Sequence, residues 1–314
     1  MNNKLEALLG IALLGAMPLS CDSGTSEPGD DDGMTSEPEA RDNRVELPPQ
    51  DDDHYTFVGG EIVIEPGEDK MYCFYLEAEE DMALTDIDML QGEFGHHAII
   101  VRTTDPKPPG TVEDCSDDES TSKFSAFLIP VAGAPENAAF LVEKGTQVVL
   151  QSHYVNASDE PLLIRDAVHT RRLPMDEVET WMSTFTTTSF GIEIMPGENE
   201  TELTFDCAMD RDVDLLNVGG HMHESGTSFE VSIGPSEEEL ERIYFVDKWI
   251  PEFRDVPPVE LYGSDPLRLT AGTIVRTTCR WENTTGEPMH FPEEMCAAFG
   301  VLAGTQEIYD CRVD

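Results

Sequence analysis

The sequence predicts an all-β protein with two antiparallel β-domains in tandem. Short alternating, β-branched runs follow one another from Tyr55 onward, among them "EIVIEPG", "CFYLEA", "HHAIIVRTT", "TQVVLQSHYV", "SFEVSI", "RIYFVD" and "TIVRTTCRW". Pro, Gly and Asp break them every ten residues or so, as in sandwiches or barrels, and no long amphipathic helical pattern intervenes. Three anchors then recur in the same order. Ile64-Glu65-Pro66-Gly67-Glu68 returns as Ile194-Met195-Pro196-Gly197-Glu198, and the pair His96-His97 returns as His221 and His223. Gly145-Thr146-Gln147-Val148, followed by Tyr154 and Asn156, returns as Gly272-Thr273-Ile274-Val275, followed by Trp281 and Asn283. The nearly constant offset marks a duplicated β-unit.

The elements follow in chain order. Residues 1–21, "MNNKLEALLGIALLGAMPLSC", carry an apolar run from Leu8 to Leu19 that is too short to span a bilayer. The run fits the h-region of an export signal, and the Leu19-Ser20-Cys21 ending is similar to a bacterial lipoprotein signal with Cys21 as the lipidated residue. Residues 22–53 are Ser, Gly, Pro, Asp and Glu with little that is apolar, and are expected to form a disordered acidic tether. Residues 54–174 then form the first β-domain and residues 175–314 the second, with the boundary at "RRLPMDEVE".

Charge excludes some partners. The chain carries 64 acidic and 19 basic residues, a formal net charge of −45. Such a surface repels nucleic acid and anionic lipid, so membrane contact is expected only through a lipid on Cys21. No acidic cluster has metal-ligand spacing, and there is no Ser-His-Asp or paired-carboxylate site. Oligomeric state is not legible. Setting Cys21 aside, six cysteines remain without a CxxC, which in an exported chain reads as disulfides. The first domain holds only Cys73 and Cys115, which should pair. Cys207, Cys279, Cys296 and Cys311 in the second leave three pairings open.

Histidine placement carries the chemistry. In "VGGHMHESG" (218–226), His221 and His223 stand at i and i+2, so on a strand both imidazoles face one way. An isolated pair of this kind suits a solvated strand face as well as a metal. Adjacent His96 and His97 would face opposite ways on a regular strand, so joint ligation needs a bend or bulge, which Gly95 permits. His153 lies on the strand "QVVLQSHYVN". His54, His169 and His290 read as structural or solvated.

The stretches "GHHA" (95–98), "LQSHY" (150–154), "GHMH" (220–223) and "EEMC" (293–296) occur in an order that resembles the copper type II, ascorbate-dependent monooxygenases. This is the family of peptidylglycine α-hydroxylating monooxygenase and dopamine β-monooxygenase, and the likeness extends over residues 55–314, including "PGENETELTFDC" at 196–207. The resemblance implies two jelly-roll-like antiparallel β-sandwich domains facing each other across a cleft, with one copper ion each. His96, His97 and His153 would hold the electron-transfer copper, and His221, His223 and Met295 the copper at which O₂ and substrate meet. Imidazole suits both copper oxidation states and a thioether favours Cu(I). Met289 and Met222 are competing sulfur ligands. Gln151 matches a family glutamine on the side facing the cleft. The implied disulfides are Cys73–Cys115, Cys279–Cys296 and Cys207–Cys311.

The implied reaction is RH + O₂ + 2 e⁻ + 2 H⁺ → ROH + H₂O, with ascorbate or a similar reductant supplying electrons. The sequence departs from the peptide-amidating members, whose substrate-carboxylate arginine is replaced by Gly219 and whose asparagine and tyrosine after the methionine are replaced by Ala297 and Phe299. Peptide amidation is therefore not expected. A small apolar or amine substrate is, the acidic surface favouring a cation. Two other classes stay open: a non-catalytic copper carrier of the same fold, and a glycan-binding surface module.

Overall fold

The computed structural model describes residues 39–49, 51–117, 123–131, 133–197, 200–254, 256–263 and 265–314. The expected export signal, Cys21 and residues 22–38 of the expected tether lie outside the described residues. Strands dominate, joined by a single 3₁₀ turn at Pro251–Arg254, and there is no α-helix among the described residues. The fold is all-β. No helix there is long and apolar enough to cross a membrane.

The strands form two sandwiches. In the first, a five-stranded sheet orders Val112–Asp114, Asp69–Glu77, Gln147–Val155, Gly95–Thr103 and Phe124–Leu128. Its Phe74, Ile100, Val148 and Leu150 share a buried core with Phe57, Met82, Leu84 and Val168 from the opposing strands. In the second, a four-stranded sheet orders Thr201–Ala208, Ile274–Trp281, Gly226–Gly234 and Glu241–Val246. Its Phe229, Val231 and Val275 pack on Phe185, Leu215, Ala298 and Leu302. Alternation along each strand supplies these faces: Leu203, Phe205 and Cys207 turn inward while Glu202, Thr204 and Asp206 alternate with them.

One sheet runs through both sandwiches. Its path is Val259–Leu261, Val213–His221, Cys296–Ala303, Thr180–Ser189, Ala138–Val142, Met82–Leu90, Ala167–Leu173 and His54–Val58. The seam is the parallel pairing of Thr180, Trp181 and Met182 with Ala138, Ala139 and Phe140. Met182, Leu216, Val301 and Ala303 from the second half complete the first core.

The internal repeat is visible at atomic detail. The Asn156 side-chain amide donates to the carbonyls of Ile64 and Glu160, and its oxygen accepts from Ser158. Asn283 does the same with Ile194, Glu287 and Thr285. Gly67 N–H donates to the Asn156 carbonyl as Gly197 N–H does to that of Asn283.

The disulfides are Cys73–Cys115, Cys207–Cys311 and Cys279–Cys296, with Cα–Cα separations of 5.9, 6.2 and 5.9 Å. That is the pairing the family resemblance implies, and three bridges are the mark of a protein exported to an oxidising compartment. The second half of the expected tether differs from expectation. Arg41–Asp42 pairs in parallel with Leu162–Leu163, Arg41 bonds Glu93, and Arg44 bonds Asp42 and Glu61. Composition alone shows too little apolar surface for this segment. Backbone pairing and ion pairs to the first sandwich order it instead.

Candidate metal centre

The first histidine set is built by a bulge. His153 pairs with His97 and Tyr154 pairs with Gly95, so His96 is the extra residue on its strand. A bulge re-aims a side chain, and here it undoes the opposite facing of neighbours on a regular strand. The ring centroids of His96 and His153 lie 4.7 Å apart, those of His97 and His153 5.1 Å, and those of His96 and His97 5.8 Å. One ring nitrogen from each residue falls within 4.8 Å of the others.

Gln91 holds the bulge from beneath. Its amide nitrogen donates to the carbonyls of His97 (2.9 Å) and His153 (3.1 Å) and to Asp166 Oδ2 (3.2 Å). Gly95 is required there, because a Cβ at that position would stand 2.1 Å from Gln91 Cγ. Asp166 is fully buried, and burial pushes its carboxyl up, against the stabilising hydrogen bond that Tyr154 Oη–H donates to it at 2.6 Å.

The ring atoms are assigned by their partners. His153 Nε2 lies 2.6 Å from Asp69 Oδ1, and a carboxylate only accepts, so Nε2 carries the proton. The lone pair is then on Nδ1, which is buried without a hydrogen-bond partner. An imidazole fixed by a carboxylate on one nitrogen and bare on the other is how metal-binding histidines are oriented. The set therefore fits a metal ion.

The second set begins with two glycines explained by contact. A Cβ at Gly219 would stand 2.5 Å from the Phe299 ring, and one at Gly220 would stand 2.4 Å from the Phe229 ring. The Phe299 ring thus occupies the space that a side chain at 219 would need. Beyond the glycines, His221 and His223 place their rings 5.2 Å apart. His223 Nδ1–H donates to the Glu293 carbonyl at 2.9 Å, leaving Nε2 as the acceptor.

Met295 is positioned by its neighbours. Met295 directly precedes the strand Cys296–Ala303, whose Ala297 pairs with His221, and it stands between the buried Glu294 and Cys296. Glu294, fully buried, accepts from His223 N–H, Ser225 N–H and Trp281 Nε1–H at 2.9, 2.7 and 3.0 Å. Cys296 is tied to Cys279. Of the competing methionines, Met222 is fully buried in the second core, and Met289 accepts a hydrogen bond from Ser225 at 3.5 Å. Gln151 is buried, its amide nitrogen 3.9 Å from both sulfurs of the Cys73–Cys115 bridge. It lies within the sheet against the bridge rather than facing solvent.

The two sets share one electrostatic environment. His97 is pushed down to about 3, chiefly by burial and then by the charges of His153, His96 and Arg254. His221 is pushed down to about 3 by burial, His223, His97 and Arg254, and His223 is lowered by burial and Arg254. At neutral pH these imidazoles are uncharged, the form that binds a metal. The remaining histidines do other work. His54 stacks on His169 at 4.8 Å, and His290 Nδ1–H donates to the Ile192 carbonyl at 3.3 Å.

Asp69, Gln91, Glu294 and Arg254 are the residues that sequence reasoning missed. Only Glu294 had a local signal, an acid directly before the methionine. The others reach the site from distant elements.

No family model matches the chain, and no curated protein matches it. Similar solved structures include a secreted protein from Eubacterium rectale (10% identity, 82% of this chain and 71% of that one, TM-score 0.20). The major capsid protein P2 of bacteriophage PM2 is another (9%, 79% and 97%, TM-score 0.24), and the ANX2 ectodomain of Arabidopsis thaliana a third (6%, 83% and 84%, TM-score 0.20). At such TM-scores these likenesses carry no argument about what this chain does.

Proposed function

We propose that the protein is an exported copper monooxygenase that hydroxylates a C–H bond of a small substrate, with O₂ and an external reductant such as ascorbate as co-substrates. The observation that carries this reading is the bulge at His96, which gathers His96, His97 and His153 within ligand distance of one another while His221 and His223 form a second set. A lipid on Cys21 would hold the enzyme at a membrane surface.

His96, His97 and His153 would hold one copper ion, and His221, His223 and Met295 the other. When bound, the two ions supply one electron each and the site at which O₂ is reduced. The chain's own residues bind and orient. Asp69 and the Glu293 carbonyl fix the imidazole tautomers, Glu294 ties the loop after His221 to the start of the methionine strand, and the low basicity of His97 and His221 keeps both rings available as ligands. Phe299 and Ala297, half-buried on one face of the strand that follows Met295, would offer an apolar wall to a substrate body. No protein general base is required.

The test loads the full chain with copper, removes loosely bound metal and measures metal content together with ascorbate-driven O₂ uptake across small substrates. Two equivalents of copper and substrate-dependent uptake are expected. Two equivalents without uptake under any reductant would make the protein a copper carrier. No bound copper would end the reading.

A further inference from the structure

The ordered base of the expected tether lies against the loop that leads into the first histidine set. Backbone bonds hold it to the strand Leu162–Ile164 and its flanks. The N–H groups of Arg41, Asn43 and Val45 donate to the carbonyls of Pro161, Leu163 and Arg165 at 2.8, 2.9 and 3.1 Å. Its side chains reach the loop. The Asn43 amide nitrogen donates to the Glu93 carbonyl at 2.9 Å, and the Asn43 amide oxygen accepts from Glu93 N–H at 3.1 Å. One side chain thus satisfies both backbone groups of one loop residue. The approach is close, since a Cβ at Gly92 would stand 2.3 Å from the Asn43 carbonyl oxygen and 2.7 Å from its Nδ2. Arg41 adds an ion pair to Glu93 at 2.9 Å and lies over the Phe94 ring at 5.8 Å. Both charges of that pair are exposed, so it contributes little beside Asn43.

The loop needs holding. Phe94 has a φ of +62°, in the left-handed region, which a bulky residue keeps only where its surroundings impose it. Gly95 follows, and then His96, the bulged residue. At the start of the loop Gln91 clamps the carbonyls of His97 and His153. Between these ends, one group of bonds ties the loop to the residues after His153: Gly92 N–H donates to Tyr154 Oη at 3.1 Å, and the Phe94 carbonyl accepts from Val155 N–H at 3.1 Å. The other group is the pair from Asn43 to Glu93. Without it, the middle of the loop loses the contact that opposes relaxation of Phe94.

We propose that Asn43 is a positioning residue for the first histidine set. The segment Arg41–Val45 is a strap that holds the Gln91–Gly95 loop in its strained form and so keeps His96 and His97 gathered with His153. The proposal rests on the copper reading for the metal that the set takes, while the strap itself consists of contacts between protein groups. It also gives a role to a segment whose composition shows only a spacer. A spacer needs no side chain paired to both backbone groups of a histidine-bearing loop.

Asn43→Ala in the full chain tests it with two readouts. In the metal-free protein, amide hydrogen exchange is followed at Gly92 and Gly95, whose own acceptors, Tyr154 Oη and the Gly92 carbonyl, the substitution leaves in place. Exchange at both should quicken about tenfold as the loop opens locally. In the protein loaded with copper(II), chelator competition should show the first set weakened about tenfold and the second unchanged. Asn43→Asp keeps the acceptor for Glu93 N–H and loses the donor, so it should fall between the wild type and Asn43→Ala on both readouts. Asn283→Ala, which weakens a turn of the second half, controls for a general loss of stability and should move neither. Unchanged exchange at Gly92 and Gly95 in Asn43→Ala, faster exchange with copper affinity unaltered, or equal effects from Asn283→Ala would overturn the proposal. A wild type that takes up no copper, with exchange still quickened by Asn43→Ala, would retire the copper reading alone and leave the strap in place.

Discussion

His153 depends on a single exposed carboxylate for its orientation. Asp69 fixes the tautomer by accepting from Nε2, so Asp69→Asn should leave the fold intact but lower metal affinity at the first set by about 10- to 100-fold. A competitive chelator titration reads this directly, and an unchanged affinity would mean that Nε2 rather than Nδ1 faces the metal. The histidine pairs stood out in the sequence, because i and i+2 on a strand share a face and Gly95 permits the bulge that joint ligation by His96 and His97 needs. Asp69 was not. It sits at the far end of the neighbouring strand, opposite Val155, and only the register of that pairing brings it to His153. Gly219 was legible as a departure from the peptide-amidating proteins that the sequence resembles, but its reason, the Phe299 ring 2.5 Å from where a Cβ would be, needed the opposite strand.

At the scale of elements, the bulge and its clamp form one device. Gly95→Ala places a methyl 2.1 Å from Gln91 Cγ, so Gln91 must leave the carbonyls of His97 and His153. Overpacking of this kind costs about 1–3 kcal/mol. Copper at the first set should be lost while the second set still loads, as metal analysis would show; loss of both would mean that the sets are not independent. The duplicated turns offer a second check. Asn156→Ala and Asn283→Ala each strand two carbonyls and remove a local acceptor, at about 1–3 kcal/mol each. Denaturant titration should give similar losses, whereas a large loss at one and none at the other would deny the two turns equal weight. The repeat was legible because turn chemistry needs particular residues at fixed spacing. The ordering of residues 39–49 was not, since it rests on ion pairs to partners far along the chain.

For the whole molecule, one sheet runs through both sandwiches and Met182, Leu216, Val301 and Ala303 complete the core of the first. The two halves should therefore unfold together, and calorimetry should show one transition. Two resolved transitions would mean that the seam contributes little. Self-repulsion from a net charge of −45 opposes the compact state, so added salt should raise the midpoint temperature by screening it. Alternation and turn spacing made two β-units readable from sequence, but the seam was not readable, because three short parallel pairs between Thr180–Met182 and Ala138–Phe140 carry no local pattern.

We propose that this chain holds two copper ions in chemically different ligand sets, one of three imidazoles and one of two imidazoles with the Met295 thioether. X-ray absorption at the copper edge of the loaded, ascorbate-reduced protein tests it most directly. Two equivalents of copper with a copper–sulfur scattering path are expected, and in Met295→Ala the same two equivalents in the oxidised protein with that path gone. A wild-type spectrum of nitrogen and oxygen scatterers alone, or a sulfur path that survives in Met295→Ala, would contradict it.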